Sequence, residues 1–510
     1  MPAGSHSFVV KPYLQNPTQD GMTLIWFSVN ERPGHVSYAP DGCNEVTLES
    51  VPVLATALSY HPSEVNLLPE SARKSAPYKH RLRLTELQPN TLYAYTVTQG
   101  GVAHCSSFRT SPSPNAPIRF IVYADSETEP ESDEKTARWK DPKRQDEKRL
   151  YLVDQTAGYR ENLRFIASRG PAFIAIVGDL VESGGEQRDW DEFWRHNAGA
   201  LGEVASRFPI LPALGNHENY GGPGDFGGYS TPAAVAAVEK YRSYFEFPEN
   251  GAPIPEQEGR YYRVDYGPVT LITLDSSNGG LNGTATDTNF LLAGDSEGGV
   301  APDFNSGSAQ YAWLEAQLME SCTVSKFIFV QFHHAPYSVG PHGLAPGRGK
   351  GFDTQSGVPM QVLTPLFMKY GVAAVFSGHD EIFERSVVEG KMSLEDGKTR
   401  SHTIHFYDVG VGGDDLRGPG VHAINPYQAW LAHQDVPEVY EGGLLVKGGK
   451  HYGHLEVEVA VNDQGHWQAT LTPVYIFPIT THTETGEVRV QRFERRIYDD
   501  VVTILGAASS

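Results

Sequence analysis

The sequence predicts a small all-β sandwich followed by a large α/β domain, on three observations. Short strands with alternating apolar and polar residues occupy positions from about 7 to 110; a stretch rich in Pro and Ser follows; beyond it, β-branched runs alternate with amphipathic helices. The 510 residues, 39% hydrophobic and 20% charged, have a globular composition and the length for two domains.

The first block contains FVVKPYL, MTLIWFSV, HVSYAP, YKHRLRLTEL, LYAYTV and SSFRT, separated by turn residues as in a sandwich of hairpins. The stretch YKHRLRLTELQPNTLYAYTVTQGG resembles the strand, turn and strand of fibronectin type III modules, with Leu87 before the Pro89-Asn90 turn and Tyr93 and Tyr95 after it. RTSPSPNAP, residues 109–117, favours an extended connection. A first domain is therefore expected over 1–112.

The second block presents IRFIVYAD, AFIAIVGD, FPILPALGN, VTLITLDS, KFIFVQFHH, VAAVFSGHD and TIHFYDVGVGG. Nearly every run ends in a residue able to bind metal, and in α/β sheets ligands bind beyond the carboxyl ends of the strands. LYLVDQTAGYRENLRFIASRG and QYAWLEAQLMES read as helices, and the Gly-rich stretches 219–230, 276–310 and 338–358 as long loops over that edge. The charged run 127–149 reads as a solvated loop. The expected limits are 117–480 for this domain, with 481–510 an extension packing on it.

Five motifs stand at strand ends, in order: Asp125 in YADSE, Asp179 in GDLVE, Asn216 and His217 in GNHE, His333 and His334 in FHHAPY, and His379 in GHDE. Each alone is weak, since an Asp at a strand end is commonly a turn cap. Together they supply carboxylate, amide and imidazole groups, the ligand set for two neighbouring metal ions.

This order resembles the D, GD, GNHE, H and GHxH pattern of calcineurin-like metallophosphoesterases, over about residues 117–415. The sandwich in front, and FER in GHDEIFERS where purple acid phosphatases have YER, make that branch the nearest likeness. The resemblance implies a four-layer fold of two sheets flanked by helices, and two metal ions about 3.5 Å apart. It implies hydrolysis of phosphate esters by a water activated at those ions, a phosphomonoesterase first, with phosphodiesterase or nucleotidase as the alternative. Asp179, Asn216, His333 and His379 would hold the second ion, Zn, Mn or Fe, with Asp179 bridging to the first ion and Asp125 on the first. His217 would lie near the phosphate as general acid or transition-state stabiliser. His342, in a Gly-rich loop, reads either as substrate-facing or as an exposed loop residue. Glu218 reads as orienting His217 or its loop, or as a structural carboxylate. Gly410, Gly412 and Gly413 resemble the family's last glycine-rich turn.

The sequence departs from the pattern at the first ion. Glu182 stands where the purple enzymes have tyrosine, Glu127 where other branches have the histidine of DxH, and Glu381 where GHxH ends in histidine. Such an oxygen-rich site favours Fe, Mn, Mg or Ca over Zn. A strand points His333 and His334 to opposite faces, so one of them is expected to bind. Counting back from Pro336 gives His334, whereas counting back from Tyr337, with HHAPY read as HHPPY less one proline, gives and favours His333.

The formal charge of −21 repels phosphate backbones, so a small phosphate ester is expected as partner and polymeric nucleic acid is not. No run of apolar residues is long enough for a membrane span, and MPAGSHSFVVK is not a signal peptide, so the chain is cytosolic or, as its family likeness favours, secreted or periplasmic with its leader removed. Cys43 and Cys105 could bridge, or all three cysteines be inert buried thiols. The front domain is expected to pack on the second domain or to serve a homodimer. A binding or adhesion protein with a decayed centre is the alternative of another class, opposed by the retention of Asn216, His217, His333 and His379.

Overall fold

The computed structural model describes residues 7–40, 45–68, 75–132, 138–140, 148–150, 152–280, 282–292, 300–393, 397–420, 422–432 and 438–508. The first strands are β1 (Phe8–Gln15), β2 (Met22–Ser28), β3 (Gly34–Pro40), β4 (Val46–Glu49), β5 (Val53–Leu54), β6 (Tyr78–Leu84), β7 (Leu92–Gln99) and β8 (Val102–Arg109). They form two sheets, ordered β1-β2-β6-β5 and β4-β3-β7-β8, with the short helix α1 (Pro62–Val65) between β5 and β6. Alternation along β2 explains the packing. Met22, Leu24 and Trp26 face the sandwich core with Val36, Tyr95 and Phe108, while Ile25 and Phe27 turn outward onto the second domain.

That domain is built on two mixed sheets. The first joins β9 (Ile118–Tyr123), β12 (Ile174–Val177) and β13 (Ile210–Ala213), all parallel, to antiparallel strands from the end of the chain: β23 (Gly453–Val461), β24 (His466–His482), β25 (Val488–Ile497) and β26 (Val502–Ala508). Between β9 and β12 lies a ribbon, β10 (Arg138–Lys140) with β11 (Lys148–Leu150), and a second ribbon, β21 (Val439–Glu441) with β22 (Leu444–Lys447), precedes β23. The second sheet has the order β14-β15-β16-β17-β19-β18-β20: β14 (Tyr262–Tyr266), β15 (Val269–Thr273), β16 (Phe327–His334), β17 (Ala374–Gly378), β18 (Phe383–Ser393), β19 (Thr399–Val409) and β20 (Gln428–Leu431). Strands β15, β16, β17 and β19 are parallel.

Burial orders these sheets into layers. Phe120, Val122 and Ala124 of the first sheet meet Phe329, Phe376 and Val409 of the second in one core. The alternate residues Ile121 and Tyr123 pack instead with α2 (Gln155–Arg169), α3 (Gln187–Asn197) and α4 (Thr231–Tyr244). On the far side, Ile328, Val330 and Phe332 pack with Leu314 and Leu318 of α5 (Ala309–Val324) and Leu366 and Phe367 of α6 (Thr364–Tyr370). Helices therefore flank two facing sheets, the four-layer arrangement expected. Helix α2 starts where Asp154 accepts the Ala157 N–H and stops at Gly170, whose φ of 58° ends the turn.

The sandwich shares a core with α3 and α4. Tyr13 lies 4.2 Å from the Trp194 ring and donates its hydroxyl to the Tyr244 carbonyl at 2.6 Å. The Lys11 N–H donates to Ala198 O at 3.0 Å, and Tyr95 to Ser206 O at 2.7 Å.

Two expectations change. Cys105 and Cys322 are exposed rather than buried, because each sits on a solvent-facing position of a strand or helix; Cys43, and with it any pairing, lies outside the described residues. The charged run 127–149 opens with buried Glu127 and Thr128, since its start turns inward beneath the strand ends, and includes the β10–β11 ribbon. Among the described residues no helix is long and apolar enough to cross a membrane.

Candidate metal centre

Parallel strands from both sheets end at one edge, so the strand-end motifs meet there. The backbone is contorted to achieve it. Seven non-glycine residues have positive φ among the described residues, and four of them are Asp125 (55°), Asp179 (48°), His379 (82°) and Glu381 (50°). Such conformations cost of order 1–3 kcal/mol each and persist where the surroundings impose them. Gly178 shows the crowding: its φ is 85°, and a Cβ there would lie 2.6 Å from the His333 ring.

His333 is fully buried at the end of β16. Its Nδ1 donates to the Val177 carbonyl at 2.9 Å, turning Nε2 toward Asp179 Oδ2 at 2.7 Å and Asn216 Oδ1 at 3.0 Å. Nε2 thus faces two acceptor oxygens, a geometry that requires a proton or a cation between them. Donor atoms of Asp179, His333 and His379 all lie within 4.8 Å of one another. Asn216 is held by its amide, which donates to the Tyr229 hydroxyl at 3.2 Å, and that hydroxyl also accepts from Gln355. His334 points elsewhere: its Nδ1 pairs with Ser276 Oγ at 2.9 Å, and its buried Nε2 has no partner. Of the two adjacent histidines, His333 is therefore the one brought to Asp179 and Asn216.

Glu218 resolves into a backbone clamp. Its carboxylate accepts from the N–H groups of Asp179 (3.1 Å), Leu180 (2.8 Å) and Gly215 (2.7 Å), tying the GD turn to the GNHE turn. His217 donates its backbone N–H to Asp179 Oδ1 at 3.0 Å and its Nδ1 to the Glu182 carbonyl at 2.5 Å. Its ring nitrogen also comes within reach of Glu127 and Asp179 oxygens. Glu182 stays at the rim, with its carboxylate 4.0 Å from His217 and 39% exposed, outside the buried donor groups. His342 stacks on His379 at 3.9 Å, with Nδ1 on Asp353 at 2.6 Å, so it covers the site rather than floating in a loop.

Asp125 accepts the His379 N–H at 2.9 Å. Beyond it, oxygens of Glu127, Glu381 and Asp414 form a second group within 4.8 Å, and Arg417 reaches Glu381 at 2.5 Å from the solvent side. Burial, reinforced by neighbouring carboxylates, pushes Glu127, Glu381 and Asp414 well above the usual carboxylate range, and Asp125 up to about 6. At His333 burial opposes the charge, but Asp179 outweighs it and lifts the imidazole to about 9; Asp179 itself is lowered, since His333 and His217 overcome its burial. These residues suit metal cations: excess buried carboxylate, a buried Glu127 Oε2 without partner, and a histidine nitrogen facing oxygens.

Residues 152–381 match the calcineurin-like phosphoesterase family, and residues 9–112 match the purple acid phosphatase N-terminal domain. The chain joins a purple acid phosphatase N-terminal domain to a calcineurin-like phosphoesterase domain. Two uncharacterized proteins from strains of Mycobacterium tuberculosis are each 27% identical over 314 residues, covering 59% of this chain and 50% of theirs. Purple acid phosphatase 22 of Arabidopsis thaliana is 23% identical over 310 residues, 60% of this chain and 53% of its own. The chain thus spans about half the length of the curated relatives it matches. In the phosphoesterase domain, the matched stretch begins after Asp125 and Glu127 and ends at Glu381, before Asp414, so three of the residues at the oxygen-rich end stand outside it. Asp414, Arg417 and Tyr229 were not singled out by sequence. The paired aspartates closing the glycine-rich turn DVGVGGDD were a signal for Asp414; Tyr229 and Arg417 carried none.

Proposed function

We propose that this phosphoesterase domain hydrolyses phosphate esters at a centre of two metal ions. The observation that carries this reading is the convergence of Asp179, Asn216 and His333 on one point, with a His379 nitrogen inside the same group. Asp179, Asn216, His333 and His379 would hold one ion, and Asp125, Asp179, Glu127 and Glu381 would hold the second. When bound, such ions would supply Lewis acidity and lower the pKa of water at the site. His217 holds a proton for the leaving oxygen: its Nδ1 is committed to the Glu182 carbonyl, which fixes the ring and leaves Nε2 for the substrate. Small monoesters are the favoured substrates; the charge of −21 disfavours nucleic-acid polymers.

The test is chelation and reconstitution, followed by assays on an aryl phosphate monoester and a matching diester. Stripped protein should be inactive and regain turnover with added metal, and Asp179→Asn should lose both ions together with activity. Full turnover by chelated protein, or full metal content and turnover in Asp179→Asn, would sink the reading.

A further inference from the structure

We propose that Asp414 is a further metal ligand, completing with Glu127 and Glu381 a carboxylate site for the oxygen-preferring ion of the centre. The inference rests on the two-ion reading above and adds a ligand to it.

Oxygens of the three side chains lie within 4.8 Å of one another, and the residues are 2%, 3% and 8% exposed. Oxygens on opposite sides of an ion at about 2.3–2.6 Å are separated by roughly 4.6–5.2 Å, so this spacing suits a calcium- or manganese-sized ion after small side-chain movements. A separate sign of a ligand is Glu127 Oε2, buried and without a hydrogen-bond partner. An unpaired buried carboxylate oxygen is costly, and a cation at this point would remove the penalty.

The local fold delivers Asp414 to this position. After β19 the chain makes a glycine-rich turn stitched to the first motif: Gly412 N–H donates to Ala124 O, and the N–H groups of Gly413 and Asp414 donate to Asp125 O, at 2.9–3.0 Å. Gly410 is required for this approach, because a Cβ there would lie 2.1 Å from Asp125 Oδ2. Gln155 then donates to Asp414 Oδ1 at 2.8 Å, fixing the carboxylate and leaving its other oxygen to a ligand. Among the described residues, the cation paired with the cluster is Arg417, on Glu381. Its side chain is 42% exposed, and one guanidinium does not balance three carboxylates with Asp125 beside them. Three carboxylates and no imidazole select manganese, calcium, magnesium or ferric ions over zinc, whereas the His333–His379 side retains nitrogen ligands.

The experiment is titration of metal-free full-length protein with Zn²⁺ and Mn²⁺, read by calorimetry, Mn²⁺ electron paramagnetic resonance and elemental analysis. Wild type should bind about one Zn²⁺ at the histidine side and one Mn²⁺ that Zn²⁺ displaces poorly. Asp414→Asn, which keeps the acceptor for Gln155, should weaken the Mn²⁺ step by at least about 10-fold while leaving the Zn²⁺ step intact, and Glu127→Gln should do the same. Wild-type Mn²⁺ affinity in both variants, or a wild type that binds Zn²⁺ but no second ion, overturns the proposal. Failure of the hydrolytic reading has a different signature, loss of the Zn²⁺ step in wild type or turnover without metal.

Discussion

Replacing Glu218 tests how far the centre depends on a residue that holds no ligand position. In Glu218→Ala three buried N–H groups, on Asp179, Leu180 and Gly215, lose an acceptor they meet at 2.7–3.1 Å. Each unpaired donor costs about 1–3 kcal/mol, and the released carboxylate recovers part of its own burial penalty, so a net loss of about 3 kcal/mol is expected. For a domain of this size that lowers the thermal midpoint by up to roughly 6 °C. The same loss frees the turns that carry Asp179 and Asn216, so metal affinity should fall by roughly 10–100-fold. Glu218→Gln should be milder than the alanine variant, because its carbonyl oxygen can keep the bonds from Asp179 and Gly215, which share one carboxylate oxygen, and only its amide then faces the Leu180 N–H. The assay is a melting curve of metal-free protein beside a metal titration. An unchanged midpoint and unchanged affinity in Glu218→Ala would show that the clamp is incidental.

Three further outcomes are expected. His217→Ala should keep its metal but lose about 10²–10⁴ in rate on a poor leaving group, and less on an aryl phosphate; equal losses on both would remove the proton-transfer role. Iron-loaded protein should show no tyrosinate charge-transfer band in its visible spectrum, because the position that gives the purple enzymes their colour is Glu182, at the rim. Glu456, where burial is outweighed by His454 and Arg495, is lowered to about 2. A depressed carboxylate stabilises above its unfolded pKa of about 4.5, and that contribution disappears as pH falls through about 2. Glu456→Gln should therefore cost about 1–3 kcal/mol at neutral pH, the lower end reflecting solvent screening of Arg169 and Arg495, and the difference from wild type should close under acid in urea melts.

The elements that locate the centre were legible because each strand announces itself twice, by an apolar run and by the polar residue that ends it. The structure brings Asp125, Asp179, Asn216, His333 and His379 together, since parallel strands bring their ends to one edge whatever the intervening loops do. Glu182 shows what spacing alone does not give: its register corresponds to a ligand position in the family pattern, and its side chain lies at the rim, 39% exposed. Strand β24 was hidden for another reason. Pro473 and Pro478 interrupt its pattern and demote it as a strand, yet both lie in paired positions, opposite Leu455 and Phe493. Asp414 closes the glycine-rich turn DVGVGGDD, but its spacing gave it no ligand role, and it is the hydrogen bonds from its turn to Asp125 that bring it to the centre.

Strand β9 is completed on one side by β23, where Ile121 pairs with Glu456 and Val122 with Leu455. The ribosome makes the second of these strands some 330 residues after the first, Gly453 following Tyr123. At about 5–20 residues per second, the nascent chain waits roughly a quarter of a minute to a minute with that sheet edge unpaired. Phe120 and Val122, which the late strands help to bury, are without that cover for the whole interval. Yield in a living host should therefore respond to translation speed and to holdase chaperones that shield exposed strand edges, even for variants whose finished fold is as stable as the parent.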